Sequence, residues 1–248
     1  MNQVTIVTGG GRGIGAATAR RLGEAGHRVC VGYRQDSRSA FEVVAAVERH
    51  GQAACAVRVD TSIEKDVERL FDEATAILGP VTGLVNNAGV TSTVGPLAEL
   101  DPAALRRVLD VNVTGVILCA RRAVRDMSTE RGGRGGVIVN ISSAAATLGS
   151  PGEYVHYAAA KAAVDAFTLG LAKEVATSGI RVNAVAPGTV HTEIHASSGV
   201  PDRADRVAAR IPMGRAGRPA EIATTVEWFF TEGASYVTGA VLRVAGGL

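Results

Sequence analysis

Within its first fifteen residues the chain commits itself to one local shape. Val4-Thr5-Ile6-Val7-Thr8 is a short apolar run, Gly9-Gly10-Gly11-Arg12-Gly13-Ile14-Gly15 breaks it, and helix-forming residues follow from Ala16. Strand, tight turn and helix N-terminus thus succeed one another with nothing between. Glycine lets the backbone reach φ > 0 and lets a ligand approach without a Cβ in the way, and the free N–H groups of a first helical turn favour an anion. Such a corner either only joins a strand to a helix or seats a phosphate, and a dinucleotide pyrophosphate fits it. A P-loop does not, because Ala16-Ala17 stand where Lys-Ser/Thr would follow the last glycine. The spacing is also not G-x-G-x-x-G: Gly9, Gly13 and Gly15 leave three residues and then one between them.

The strand-then-helix alternation repeats to the end of the chain. Helical spacing of apolar residues marks 14–25 (closed by Gly26), 39–50 (closed by Gly51) and a segment keeping Val67, Leu70, Phe71 and Ala74 on one face before Gly79-Pro80. Short apolar runs at 29–32, 54–59 and 83–87 alternate with them. A long helix over 102–127 is expected, with Asp101 as cap and Pro102 in the first turn. Strand 137–141, helix 157–177, strand 181–186, a long connection over 188–218, helix 219–230 and strand 240–244 complete the series. The strands are apolar without alternation, as befits a parallel sheet covered on both faces. The prediction is an α/β chain: a Rossmann-type doubly wound parallel sheet of about seven strands in three α/β/α layers, one domain over 1–248, with a substrate lid at about 188–218. In such sheets ligands lie beyond the carboxyl ends of the strands.

Composition narrows the function classes. With 46% hydrophobic and 20% charged residues the chain is core-forming, and no apolar run approaches the roughly 18 residues that span a bilayer. A net charge of +2 argues against a nucleic-acid partner, and the arginines over 121–134 are interrupted by Asp126 and Glu130. Cys30, Cys55 and Cys119 show no CxxC spacing and read as buried thiols of a reducing compartment. With the first strand beginning at Val4, there is no room for a signal peptide, and a cytoplasmic protein without a membrane or nucleic-acid partner is expected.

Tyr157 and Lys161 stand one helical turn apart on one face. A tyrosine serving as acid or base near neutral pH needs its pKa moved by roughly three units, about 4 kcal/mol, and an adjacent ammonium can contribute to that. Ser142-Ser143 follows the fifth strand and can hydrogen-bond a substrate oxygen beside the tyrosine, with Ser143 the choice of the two. Asn112 interrupts an apolar stretch of the long helix, and a buried Asn needs partners. Tyr154 has Ala158 rather than a lysine four residues on, so it is expected to line the pocket or pack. His191, Glu193, Ile194, His195 and Met213 fall in the lid, and no third donor stands at a metal-ligand spacing, so no catalytic metal is predicted.

Taken together, Thr8-Gly9 with Gly13 and Gly15, Asn86-Asn87-Ala88-Gly89, Asn112, Ser143, Tyr157 with Lys161, and Pro187-Gly188 resemble the short-chain dehydrogenase/reductase family over almost the full length, and within it bacterial members of the glucose 1-dehydrogenase and 3-oxoacyl-carrier reductase kind. The resemblance implies that Tyr157 is the general acid/base, that Ser143 orients the substrate oxygen, that Lys161 binds the nicotinamide ribose and lowers the tyrosine pKa, and that Asn112 holds a water in a proton relay. It makes the glycine turn, with Gly9, Gly11, Gly13, Ile14 and Gly15, the seat of the pyrophosphate, and places Asp60 and Asn87 along the adenosine half and Thr192 at the nicotinamide carboxamide. Arg12, Tyr33, Arg34, Ala88, Gly89, Pro187, Gly188 and Val190 are expected among the cofactor-binding residues. It further implies a homotetramer with helices 102–127 and 157–177 between subunits, and a small carbonyl or alcohol substrate. The usual Val-Asp-Gly-Gly ending reads Val244-Ala245-Gly246-Gly247 here, and the loop around 150–153 is one residue longer than in many relatives.

Cofactor choice follows from charge. A carboxylate ending the second strand would accept bonds from a ribose 2′-OH and repel a 2′-phosphate, whereas this chain offers Tyr33-Arg34 there and Arg12 in the glycine turn. Two guanidiniums suit a phosphate, so NADP(H) is predicted, with NAD(H) as the alternative. The reading is an NADP(H)-dependent carbonyl reductase or alcohol dehydrogenase. A catalytically silent nucleotide-binding regulator on the same fold is the rival.

Overall fold

The computed structural model describes residues 3–194, 199–200 and 202–248. Seven strands, β1 (Val4–Thr8), β2 (Arg28–Tyr33), β3 (Ala54–Arg58), β4 (Gly83–Asn86), β5 (Gly136–Ile141), β6 (Ile180–Pro187) and β7 (Val241–Val244), form one sheet in the order β3-β2-β1-β4-β5-β6-β7. Every neighbouring pair is parallel. The order reverses between β1 and β4, which opens a crevice above their carboxyl ends.

Side chains alternate across each strand, so β1 sends Val4 and Ile6 to one face and Val7 to the other. The first face is covered by α3 (Glu64–Leu78), α5 (Gly115–Met127) and α7 (Val155–Val175), which bring Leu70, Phe71, Ala120, Met127 and Val175 onto it. The opposite face is covered by α1 (Gly13–Glu24), α2 (Ser37–Glu48) and a helix over Pro219–Trp228, through Leu22, Val43, Val47, Ile222 and Val226. Both faces are covered along the inner strands β1, β4, β5 and β6, as their unalternating apolar runs predict, while β7 at one edge leaves Val241 and Leu242 exposed. Among the described residues no helix is long and apolar enough to cross a membrane.

Three differences from the sequence reading matter for the site. The helix expected over 102–127 is not continuous. It begins as α4 (Pro102–Leu109), with the Asp101 carboxylate accepting from Ala103 N as a cap, passes through a π turn at Asp110–Thr114, and resumes as α5. Asn112 lies in that π turn, a feature without a pattern of its own in the apolar periodicity. The catalytic-side helix starts at Val155, so Tyr157 sits in its first turn, and the preceding loop contains a short helix, α6 (Ala145–Leu148). The connection expected over 188–218 contains α8 (Arg203–Val207), followed by a 3-10 turn at Ala208–Arg210. The Pro219–Trp228 helix is therefore α9.

Candidate active site

The glycine turn is fastened to the end of β4 across the crevice. Thr8 Oγ1 accepts the N–H groups of Asn87 at 3.0 Å and Ala88 at 3.1 Å, and Asn87 Nδ2 donates to the carbonyls of Thr8 at 2.9 Å and Gly9 at 3.0 Å. A Cβ at position 15 would stand 2.3 Å from the Gly9 carbonyl and 2.4 Å from Asn87 Nδ2, so the turn closes only around glycine. No side chain caps the N-terminus of α1, where Arg12 is the N-cap residue. The first-turn amides thus face a cleft of about 720 Å³ that Gly9, Gly11, Arg12, Gly13 and Ile14 help to line. An uncapped helix start beside a side-chain-free turn is the donor set that a pyrophosphate requires, and the cleft is large enough for a dinucleotide and a small substrate.

One end of the cleft is cationic. Tyr33, Arg34, Asp60 and Arg107 line it, and Asp60 Oδ2 is shared by Arg34 Nε at 3.0 Å and Arg107 Nη2 at 3.2 Å. Burial raises the Asp60 pKa, but bonds from Ser62 and Arg107 outweigh that and hold the carboxyl below its usual range. Asp36, the next carboxylate after β2, accepts from Ser39 N at 3.0 Å and Ser39 Oγ at 2.6 Å as the cap of α2. Arg107 belongs to this end although nothing in the sequence singled it out: an arginine on an amphipathic helix usually reads as solvated, whereas this one is half-buried against Asp60 and Ser62.

The opposite end carries the tyrosine. Tyr157, partly exposed to the cleft, hydrogen-bonds Ser143, whose Oγ also accepts from Ala145 N at 3.1 Å. Ser142 points elsewhere: it is buried, with its hydroxyl donating to the Lys161 carbonyl at 3.3 Å. Burial pushes the Tyr157 phenol up to about 12, the Ser143 bond opposing this. Lys161 Nζ donates to the Ile141 carbonyl at 2.7 Å and lies 5.7 Å from the Tyr157 ring centre. Burial pushes that ammonium down to about 8, with Asp165 pulling the other way. The downward pull of Lys161 on Tyr157 expected from their spacing is therefore not displayed, because the lysine is turned to the β5 carbonyl and burial dominates the phenol.

Asn112 is fully buried, its Oδ1 accepting from Val90 N and its Nδ2 donating to Val90 O, both at 2.8 Å. Its amide donor and acceptor thus hold the chain after β4, beside Gly89, where a Cβ would lie 3.4 Å from Asn112 Oδ1 and 3.6 Å from Lys161 Nζ. Pro187 and Gly188 end β6, the former accepting from Ala144 N at 2.8 Å and the latter donating to Val244 O at 3.0 Å. Thr192 comes over the glycine turn, its Cγ2 standing 3.2 Å from where a Gly13 Cβ would be, and Val190 bridges to Gly217.

The sequence left Tyr154 either to line the pocket or to pack, and it does both, on the cleft wall edge-on against Tyr157 with ring centres 5.6 Å apart. What the sequence did not anticipate is its cover. The Arg203 guanidinium stands 5.2 Å from the Tyr154 ring centre and grips Glu153 with two bonds of 2.9 and 2.6 Å. This joins α8, inside the expected lid, to the loop before Tyr157; Arg203 and Glu153 are fifty residues apart, so no local pattern announces the pair. In the lid His191 comes within 4.0 Å of Asp205, Met213 is exposed, and His195 lies outside the described residues. Among the described residues no group of three or more His, Cys, Asp or Glu is placed to hold a metal ion.

A family model described as enoyl-(acyl carrier protein) reductase matches residues 9–248. A solved short-chain dehydrogenase/reductase of Serratia marcescens, in a doubly substituted form, superposes with a TM-score of 0.90 at 35% identity, covering 99% of this chain and 97% of its own. The chain belongs to the short-chain dehydrogenase/reductase family. An uncharacterized oxidoreductase, YgfF, of Escherichia coli (strain K12) is 47% identical over 98% of this chain and 99% of its own length. The structure of a blue fluorescent protein from a metagenomic library, in complex with NADPH, superposes with a TM-score of 0.89 at 33% identity, covering 99% of this chain and 97% of that one. As a short-chain dehydrogenase/reductase this protein is an oxidoreductase acting on CH–OH groups with a nicotinamide cofactor. The cleft brings together the glycine turn with the uncapped start of α1, arginines at one end and Tyr157 with Ser143 at the other.

Proposed function

We propose that this short-chain dehydrogenase/reductase interconverts a small ketone or aldehyde and its alcohol, with NADP(H) as the preferred dinucleotide. The observation that carries the reading is the Tyr157–Ser143 hydrogen bond on the wall of the cleft that begins at the uncapped α1. When bound, the dinucleotide supplies or accepts the hydride at the substrate carbon. The chain's own groups do the rest. Ser143 Oγ, fixed by Ala145 N, donates to the substrate oxygen and holds it beside the phenol. Tyr157 then gives its proton to that oxygen in reduction or removes it in oxidation, and Lys161, one turn on and held by the Ile141 carbonyl, is assigned to the nicotinamide ribose. Asn112 acts through Val90, keeping the chain after β4 in place beside Gly89. We assign Gly9 to Gly15 with Asn87, Ala88 and Gly89 to the dinucleotide, and Pro187, Gly188, Val190 and Thr192 to the nicotinamide side.

Three features support NADP(H). Arg34 follows β2 on the wall of the cleft, its Nε 3.0 Å from Asp60; Arg12 lines the same cleft; and Asp36, the first carboxylate after β2, is occupied in capping α2. The NADPH complex of the metagenomic neighbour agrees with that choice. A homotetramer is supported by the exposed stripe of Ala159, Ala162, Ala163, Ala166, Leu169 and Gly170 on α7, and by Val241, Leu242 and Tyr236 exposed at the β7 edge. The three free thiols suit a cytoplasmic setting.

A panel of ketones and secondary alcohols, followed by absorbance of the reduced nicotinamide with each dinucleotide, tests the reading. Tyr157→Phe should abolish turnover while NADPH still binds; retained turnover would remove the tyrosine from the mechanism. Arg34→Ala should weaken NADPH about tenfold and leave NADH unchanged, and equal loss for both would refute the 2′-phosphate assignment.

A further inference from the structure

We propose that Cys30 and Cys55 form a redox-modification site, a dithiol that a peroxide converts into a reversible cross-strand disulfide. The two cysteines lie 25 residues apart in sequence but directly opposite one another, as partners in the β2–β3 register. Both point to the α3 face of the sheet, where Cys30 belongs to the core with Leu70 and Phe71 and Cys55 packs against it. The thiols hydrogen-bond each other. Neighbouring strands run about 4.8 Å apart, within the roughly 4.4–6.8 Å Cα separation that a disulfide spans.

The partners are unequal in a way that suits stepwise oxidation. Cys30 is fully buried, while Cys55 is partly exposed on β3, the edge strand of the sheet. Their shared bond raises the Cys30 pKa well above the ordinary thiol range and lowers that of Cys55, the nearby Glu73 carboxylate opposing ionisation of both. Cys55 is thus the sulfur that a peroxide meets first, and Cys30 faces it from the core. Attack of the Cys55 thiolate on a peroxide forms an S–O bond, breaks the O–O bond and releases hydroxide. The Cys30 sulfur then displaces the sulfenic oxygen, forming the S–S bond and releasing water that carries away the Cys30 proton. In sum, two thiols and one hydrogen peroxide give one disulfide and two waters. An edge strand has a neighbour on one side only and can draw inward. A bond joining directly opposed parallel strands departs from relaxed disulfide geometry, which makes it readily reduced again.

Cys119 supplies an internal control, since it is fully buried on α5 with its thiol pushed up to about 12 by burial. The full-length reduced protein is exposed to hydrogen peroxide, quenched, unfolded and labelled with N-ethylmaleimide, and its peptides are read by mass spectrometry. The expected result is loss of two of the three labelled thiols, a joined Cys30–Cys55 peptide pair, full labelling of Cys119, and recovery of all three after dithiothreitol. In Cys55→Ala, peroxide should leave Cys30 fully labelled. Three labelled thiols after peroxide, a Cys55 sulfinate without the joined pair, or loss of Cys30 labelling in Cys55→Ala would each overturn the proposal.

Discussion

Replacing Lys161 with methionine separates the energetic consequence of burying its charge from the loss of its contacts. The ammonium is 3% exposed and its pKa is held at about 8, against a value near 10.4 in an unfolded chain. Between those two values the unfolded chain binds a proton that the folded one does not, so unfolding free energy rises with pH across that window. Below about pH 8 both states are protonated and the full cost, about 3 kcal/mol, is present. Carried from pH 7 to 9.5, wild-type protein should regain about 2 kcal/mol relative to Lys161→Met. Loss of the Lys161–Ile141 bond shifts the variant by a pH-independent amount and cancels from that comparison. Tyr157 acts with opposite sign: its raised pKa contributes stability that is present below about pH 10 and is lost as pH climbs toward 12, so the window ends before it interferes. Urea unfolding of both proteins, at one protein concentration and several pH values, gives the difference. A difference that stays flat from pH 7 to 9.5 would refute a folded-state ammonium titrating near 8.

Gly15→Ala should weaken NADPH at least tenfold and lower the melting temperature, because its Cβ meets the Gly9 carbonyl at 2.3 Å. Gly26→Ala, at φ +93° with open space around the Cβ, should cost only about 1 kcal/mol in thermal unfolding and leave NADPH titrations unchanged. Ser143→Ala should lower kcat at least a hundredfold with little change in dinucleotide affinity. Ser142→Ala should leave kcat within about threefold, since a neutral hydrogen bond of this kind contributes about 1 kcal/mol at most to holding Lys161 in place. Comparable kinetic losses in both serine variants would undo the choice between them.

The sheet was legible because its cause is local and repeated. Each strand is an apolar run, each helix a 3.6-residue rhythm, and Gly26, Gly51 and Gly179 stop their helices at positive φ, all features read within ten or fifteen residues. The tyrosine, the lysine and the glycine turn were legible for the same reason. The groups that escaped notice are made by distance in sequence: Arg107 on Asp60, Arg203 on Glu153, and Cys30 facing Cys55, which composition had cast as unrelated buried thiols although Cys55 reaches the surface. The π turn escaped for another reason. One extra residue in a helix leaves the apolar stripe intact on either side and changes only the phase between the two halves.

That phase has a consequence for what the chain can tolerate. Each residue of an α-helix turns it by about 100° and a π turn takes up one residue more per turn, so winding Asp110–Thr114 as ordinary α-helix with no residue removed would rotate everything after it by up to about that angle relative to α4. Cys119, Ala120, Ala123 and Met127, all buried now, would swing out of the core, and Arg122, carried round with Asp126 on the same helix, would part from Glu68 and Asp72 on α3. The irregular turn thus acts as a phase-setter: it is the one extra step that lets the same helix present Asn112 to Val90 and, further along, its apolar side to the sheet.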